Sequence, residues 1–258
     1  VAFISNNAVV SPKAEIGDNV TINHFAVIED DVVIGDNVEI HTGAQIENGA
    51  RISSGCRIFK SAAISCIPQD LKFAGENTTL EIGENTVVRE FSTVSRGTQA
   101  SKKTIIGKNC LIMAYSHIAH DSVVGNNVIL ANATMLGGHV QIQDWAIIGG
   151  FVGIHQFVKV GEHSFTAFSS RITQDVPPYI LAGGSPLNYK GLNLVGLKRR
   201  GFSEDTIRHI KQAYNFIYGS KYNISDALKA VRDSVPLIEE VKKVIEFIQT
   251  SERGIIRK

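Results

Sequence analysis

Aliphatic side chains recur at every sixth position along most of this chain. Ile4, Val10, Ile16, Ile22, Ile28, Ile34, Ile40, Ile46, Ile52, Ile58 and Ile64 follow one another without a miss. The series resumes at Ile82, Val88 and Val94, and again from Ile106 through Ile112, Ile118, Val124, Leu130, Leu136, Ile142, Ile148 and Ile154 to Val160. Two residues before most of these stands a small or β-branched residue, as in Ala14, Val20, Ala26, Val32, Val38, Ala44 and Ala50, with Gly and Asn clustered between. A period of six fits neither an amphipathic helix, at about 3.6, nor a simply alternating strand. Two inward positions per six, separated by a turn, instead predict a parallel β-helix of hexapeptide repeats. Stacking the coils buries a column of side chains that no single repeat could bury.

The repeat is similar to that of the hexapeptide-repeat transferases. The resemblance implies three hexapeptides, hence 18 residues, per coil and a left-handed winding. Crossover preference alone would favour the opposite hand. Residues 65–80 (SCIPQDLKFAGENTTL) and 95–105 (SRGTQASKKTI) break the series and are expected to leave the prism as loops, the usual carriers of function on a rigid scaffold. The repeat fades after about Ile172, and Pro177–Pro178 mark a boundary. The expected organisation is therefore a mainly β repeat domain over 1–176 and a C-terminal helical domain over 177–258. In the latter, Ser203 is a candidate N-cap ahead of Ile207, Ile210, Ala213, Phe216 and Ile217. A second helix is expected from Ser225. A third is expected from Pro236, through Val241, Val244, Ile245 and Ile248.

Composition narrows the function classes. Lys and Arg number 26 against 25 Asp and Glu, so no global field favours nucleic acid or an anionic membrane. The three cysteines, Cys56, Cys66 and Cys110, form no CxxC pair, which suits a reducing compartment and makes the cytoplasm the expected location. Cys56 and Cys110 fall on small inward positions and read as core. No run of 18 apolar residues and no leader-like start occurs, so a soluble chain without stable membrane insertion is expected.

Candidate chemistry gathers on one edge. With 18-residue coils stacked about 4.8 Å apart, Ile118, Leu136 and Ile154 form one column. His117, His120, His139 and His155 then lie within about 10 Å along it. Strand alternation turns His117, His139 and His155 outward and sets His120 at a bend. An imidazole near neutral pH suits general acid–base work. Two other readings stay open: polar residues occupy outward positions in any case, and related β-helices bind zinc through three histidines. The His117-x2-His120 spacing departs from the zinc-dependent carbonic anhydrases of this fold, and no metal is expected.

The strings His117-Ile-Ala-His-Asp121, Gly137-Gly-His139, His155-Gln-Phe157, Gln174-Asp-Val-Pro-Pro-Tyr179 and Gly196-Leu-Lys-Arg-Arg-Gly-Phe202, with Gln69-Asp-Leu-Lys72, carry a more specific likeness. Over essentially its whole length the chain resembles the UDP-N-acetylglucosamine O-acyltransferases of lipid A biosynthesis. The resemblance implies transfer of an (R)-3-hydroxyacyl chain from acyl carrier protein to the sugar 3-hydroxyl, the first step of that pathway. It implies no covalent acyl-enzyme and no cofactor beyond the phosphopantetheine of the carrier. His120 would be the general base, Asp121 its orienter, and the Gly138 N–H the oxyanion donor. Asp70, Lys72, His117, His139, His155, Gln156, Asn193, Arg199 and Arg200 match positions associated with substrate contact, although Lys198–Arg200 alone would also read as a solvated run. Ser95 and Val195 depart from the histidine and glutamate common there. Phe168, where some members keep glycine, is expected on the His117 side about 14 Å further along the axis, as an acyl-chain ruler. A homotrimer is expected, because a convex prism edge needs a neighbour to make a pocket.

Other readings weighed are an acetyl-CoA enzyme, a relative acting on a variant UDP-amino sugar, and the pathway's N-acyltransferase. The last would need an N-terminal uridine-binding domain ahead of repeats that already begin at Ile4. A purely structural β-helix would lack the histidine column.

Overall fold

The computed structural model describes residues 2–219 and 221–257. The six-residue period resolves into three parallel sheets, of eleven, nine and eight strands among the described residues, wound as a left-handed β-helix. Most strands are two or three residues long, and nearly all contribute an aliphatic side chain inward. Ile22, Ile40, Ile46, Ile58, Ile64, Ile112, Ile118 and Ile148 are completely buried. Full burial of such a side chain contributes about 1.5–3 kcal/mol, and truncating one to alanine costs about 2–5 kcal/mol. The preceding inward position takes the small residues, Cys56 and Cys110 among them, both buried. Burial pushes the Cys56 thiol up to about 11, so it is an inert core group. At several of the polar residues there, a carbonyl of the next coil accepts from the hydroxyl, as Gly107 does from Thr86 (2.8 Å) and Met113 from Ser92 (3.0 Å), while the buried Ser164 hydroxyl has no partner among the described residues.

The corners carry the strain. From Asn109 (56°) to Ser169 (57°) every sixth residue, one per corner, adopts left-handed φ, Asp121 (60°) and His139 (60°) among them. That conformation disfavours residues with a Cβ. Here a backbone hydrogen bond to the neighbouring coil fixes it, as for His139 N–H on the His120 carbonyl (3.0 Å).

Register shows where the loops leave. Phe3 pairs with Thr21, 18 residues on, but Arg57 pairs with Val87, 30 on, and Val87 with Leu111, 24 on. The extra residues form two excursions. The first follows Ala63–Cys66 of the second sheet and returns at Thr79–Ile82 of the third, and the second connects Thr93–Ser95 to Lys103–Ile106. Both therefore leave the same corner of the prism. The corner of the next coil down, between His117–Ile118 and Val123–Val124, is His120–Asp121.

The chain does not pass directly into helices after residue 176. After the two prolines, Ile180–Gly183 adds one more strand to the first sheet, parallel to Phe165–Thr166, and Asn188–Leu192 returns as a hairpin. The apolar Ile180 and Ala182 are buried by this continuation. Only then do the helices begin: α1 (Leu194–Arg199), α2 (Glu204–Gly219), α3 (Ile224–Ser234) and α4 (Glu239–Gln249). Of these, α1 has no counterpart in the hydrophobic pattern. Ser203 caps α2 through the Thr206 N–H (3.0 Å). Asn223 caps α3, accepting from the Asp226 N–H (2.9 Å). Pro236 precedes α4 in a turn closed by the Ile238 N–H on its carbonyl (2.9 Å) and is not in the helix. No helix among the described residues is long and apolar enough to cross a membrane.

Candidate active site

Coil stacking assigns each side chain at the corner between the second and third sheets to a column. His120, Gly138 and Gln156 succeed one another in one column, and Asp121, His139 and Phe157 in the next. His139 therefore projects from the corner, not from a strand face as expected, because the chain turns at Gly137–Gly138 directly after Met135–Leu136. His117 does lie on a strand, between Thr93 and Met135 in the second sheet.

The His120 Nδ1 lies 2.8 Å from Asp121 Oδ2. Because the carboxylate accepts, Nδ1 carries the proton and Nε2 keeps its lone pair. The ring lies against Gly138, where a Cβ would meet His120 Cε1 at 2.7 Å and Nε2 at 2.9 Å. The Gly138 N–H has no backbone partner among the described residues. A proton acceptor and an unused backbone donor thus sit side by side.

Asp121, with its side chain fully buried, is saturated. Oδ1 accepts from the Thr98 N–H (2.9 Å) and the Ser101 hydroxyl, and Oδ2 from the Thr98 hydroxyl (2.6 Å) and His120. Burial alone would raise its carboxyl, but the hydrogen bonds from Ser101, Thr98 and His120 outweigh that and hold it well below the usual carboxylate range. His139 approaches edge-on to His120, its Nε2 3.6 Å from Asp121 Oδ2, and stacks on Phe157 at 4.5 Å. The ligand atoms of His120, Asp121 and His139 lie within 4.8 Å of one another, close enough for a metal ion. All four lone-pair directions of Asp121 are already used by hydrogen-bond donors, which suits an orienting carboxylate better than a metal ligand.

These groups open onto a groove of about 640 Å³ lined by Gln69, His117, His120, Gly138, Gly153, His155, Gln156 and Arg171, among others. His117 bonds the Thr93 hydroxyl through Nδ1 (2.7 Å), and burial, reinforced by neighbouring His120, pushes its imidazole below the ordinary range. His155 is exposed, its Nδ1 3.1 Å from the Gln156 carbonyl. Gln69 reaches the groove from the first excursion. Asp70 and Lys72 stand beside it in a local turn, with the Lys72 N–H on Asp70 Oδ1 (3.0 Å), and do not line the groove.

Asn193, Arg199 and Arg200 lie elsewhere. Arg199 and Asn193 line a second cavity of about 350 Å³ with Ile147, Phe165, Leu181 and Val195, on the first sheet. Both ends of the Asn193 amide hold the backbone: Oδ1 accepts from the Gly196 N–H (3.2 Å) and Nδ2 donates to the His163 carbonyl (3.0 Å). Arg200 lies over Trp145, 5.2 Å from the ring centroid, with its guanidinium 3.4 Å from His163 Nδ1. Burial, aided by Arg200, brings His163 down to about 4. Phe168 is a corner residue between the first and second sheets, exposed and edge-to-face with Phe151 at 5.4 Å, and so borders the sheet that carries His117 on the edge away from His120. Ser95 is buried in the second sheet, and Val195 is exposed in α1.

Thr98, Ser101, Gly153 and Arg171 also belong to the site, although no sequence motif marks them. Register arithmetic reaches the last two, since His117, Met135, Gly153 and Arg171 occupy one outward row. The hydroxyls belong to an excursion whose path no periodicity describes.

The chain resembles known proteins over its full length. The sequence model described as UDP-N-acetylglucosamine O-acyltransferase, domain 2, matches residues 175–256, and that of the bacterial transferase hexapeptide matches 25–60 and 103–138. The acyl-(acyl-carrier-protein)–UDP-N-acetylglucosamine O-acyltransferase of Paracidovorax citrulli is 49% identical over 262 residues, covering all of both chains. That of Herminiimonas arsenicoxydans is 42% identical over 265, again with full coverage of both. Among solved structures, the UDP-N-acetylglucosamine acyltransferase of Bacteroides fragilis superposes with a TM-score of 0.97 at 46% identity, covering 99% of this chain and 100% of that one. The Francisella novicida enzyme gives 0.96 at 36%, covering 99% and 94%. The chain belongs to the UDP-N-acetylglucosamine O-acyltransferase family.

Proposed function

We propose that this enzyme transfers an (R)-3-hydroxyacyl chain from acyl carrier protein to the 3-hydroxyl of UDP-N-acetylglucosamine, at the opening of lipid A biosynthesis, in a single direct step. The observation that carries the mechanism is the Asp121–His120 pair lying against Gly138. The His120 Nε2 takes the proton of the sugar hydroxyl as its oxygen attacks the thioester carbonyl. The carbonyl oxygen becomes an oxyanion, to which the Gly138 N–H donates. Collapse breaks the carbon–sulfur bond, and the departing pantetheine thiolate takes the proton back from His120. A positioned general base contributes about 10²–10⁴-fold, and one oxyanion donor about 10²–10³-fold. The only prosthetic chemistry needed is the phosphopantetheine that the donor carries, and the cytoplasm is the compartment proposed. His117, His139, His155 and Gln156 would grip the sugar and donor along the groove. Asp70 and Lys72 would reach in from the first excursion when substrate is bound.

The proposed assembly is a homotrimer. Within one subunit the His120 groove lies on the second sheet and the Arg199 cavity on the first. In this assembly one subunit's first sheet would pack against the next subunit's second. Arg199 and Arg200 would then supply guanidinium forks to the diphosphate. Light scattering that found a fully active monomer at assay concentration would refute the assembly. For the mechanism, His120→Ala should keep the fold and lower kcat by about a hundredfold or more, measured with hydroxyacyl carrier protein and the UDP-sugar. Near-normal turnover would remove His120 from the reaction.

A further inference from the structure

Asp121 aims His120, and Asp121 is itself gripped by groups that the reaction above does not use. Three of its four hydrogen bonds come from the second excursion: the Thr98 N–H and the Ser101 hydroxyl on Oδ1, and the Thr98 hydroxyl on Oδ2. Its own N–H donates to the Thr104 hydroxyl (2.9 Å), on the strand where that excursion returns. The excursion is rigid where it matters. Its base is pinched by the Gly97 N–H on the Thr79 carbonyl (3.1 Å) and the Lys102 N–H on the Thr98 carbonyl (2.8 Å). A Cβ at Gly97 would meet the Lys103 backbone nitrogen at 2.3 Å, so only glycine lets the loop close this tightly. Its tip is held to the first excursion by Glu76, which accepts from the Gln99 N–H (3.0 Å) and the Ala74 N–H (2.8 Å). Thr98 is buried.

A second imidazole lies near the same oxygen: Asp121 Oδ2 is 2.8 Å from His120 Nδ1 and 3.6 Å from His139 Nε2, the latter beyond hydrogen-bond distance.

We propose that Thr98 and Ser101 are positioning residues that lock the Asp121 carboxylate onto His120, and so aim the base. The clamp acts before substrate arrives, as preorganisation requires. Thr98 matters most because it holds both oxygens, one through its N–H and one through its hydroxyl. This inference rests on the reading of His120 as general base.

The test is steady-state kinetics of the full-length protein, with hydroxyacyl carrier protein and UDP-N-acetylglucosamine, for Thr98→Val, Thr98→Ser and Ser101→Ala, each alone and combined with Asp121→Ala. Thr98→Val should lower kcat by about 10- to 100-fold with KM within about twofold, because the substrate groove is untouched. Thr98→Ser, which keeps the hydroxyl, should recover most of that loss. Ser101→Ala should show a smaller loss in the same sense. In the Asp121→Ala background none of the three should add more than about twofold, because a clamp with nothing to hold has no effect. Unchanged kcat in Thr98→Val would overturn the proposal, as would a loss of equal size with Asp121 already removed. If Thr98→Val does not fold, the Ser101→Ala cycle with Asp121→Ala decides the matter in its place: a loss that vanishes in the double variant supports the clamp, and no loss or an additive loss overturns it. Full turnover in His120→Ala would sink the base assignment itself. An inactive His120→Ala beside a fully active Thr98→Val would sink only the clamp.

Discussion

Replacing Gly138 by alanine should disable the enzyme without unfolding it. The added Cβ would lie 2.7 Å from His120 Cε1, 2.9 Å from Nε2 and 3.3 Å from Nδ1. Ordinary carbon contacts sit at about 3.5–4.0 Å, so the ring must retreat by roughly 1 Å. Its Nδ1 is tied to Asp121 at 2.8 Å. A retreat of that size carries the bond to or past the limit of about 3.2 Å at which such contacts still count as good hydrogen bonds. Misplacing a reacting group by about 1 Å costs about 10²-fold in rate, so kcat should fall about a hundredfold. The backbone is not at issue. Gly138 is absent from the left-handed positions, so alanine adopts its φ without strain, and the N–H proposed for the oxyanion is retained. The assay pairs kcat with the thermal midpoint. Two neighbouring glycines calibrate the latter. A Cβ at Gly153 meets nothing within 4 Å, so Gly153→Ala should leave the midpoint unchanged. At Gly137 it would lie 2.8 Å from the Gln156 backbone nitrogen, in a coil stitched to the next by the Gly137 N–H on the Ile154 carbonyl (2.9 Å), so Gly137→Ala should lower the midpoint measurably. A Gly138→Ala enzyme with kcat within about twofold of the parent would refute the claim that His120 works from the observed position.

Phe168→Gly should shift preference toward longer hydroxyacyl donors in a competition among carrier proteins of graded chain length. A wild-type preference for chains of about 16 carbons, unchanged in the variant, would show that this corner ring limits nothing. His163, brought down to about 4 by burial beside Arg200, favours the folded state only while neutral. Its contribution is complete above its ordinary value near 6.5 and is lost as pH falls toward about 4. His163→Gln should accordingly flatten the fall of the thermal midpoint between pH 7 and pH 4.5, and an unchanged slope would contradict the assignment.

What can be read from the sequence depends on whether a residue's position follows from the repeat. Ile118, Leu136 and Ile154 declare the period, and from it His117 and His120 fall on one edge because a coil of fixed length leaves a side chain no other place. Phe168 and His139 are harder to place because the hexapeptide supplies two kinds of outward position, strand and corner, and distance along the axis does not tell them apart. Six-residue counting does: Asp121, His139 and Phe157 share the left-handed slot that Asn127 and Asn109 occupy at other corners. α1 has no signature because six residues between a hairpin and a glycine leave no room for helical periodicity, and its cap, Asn193, reads in the sequence as a substrate contact. Thr98 and Ser101 carry no signal at all. An excursion of irregular backbone is defined by what it touches, and its partner here, Asp121, is 23 and 20 residues away along the chain. The repeat thus fixes the positions of the atoms proposed to react, while the excursions, free of the repeat, supply the hydrogen bonds that decide how those atoms are held. Variation among relatives in how His120 is oriented should accordingly arise in the excursion over 95–105, and not in the coils beneath it.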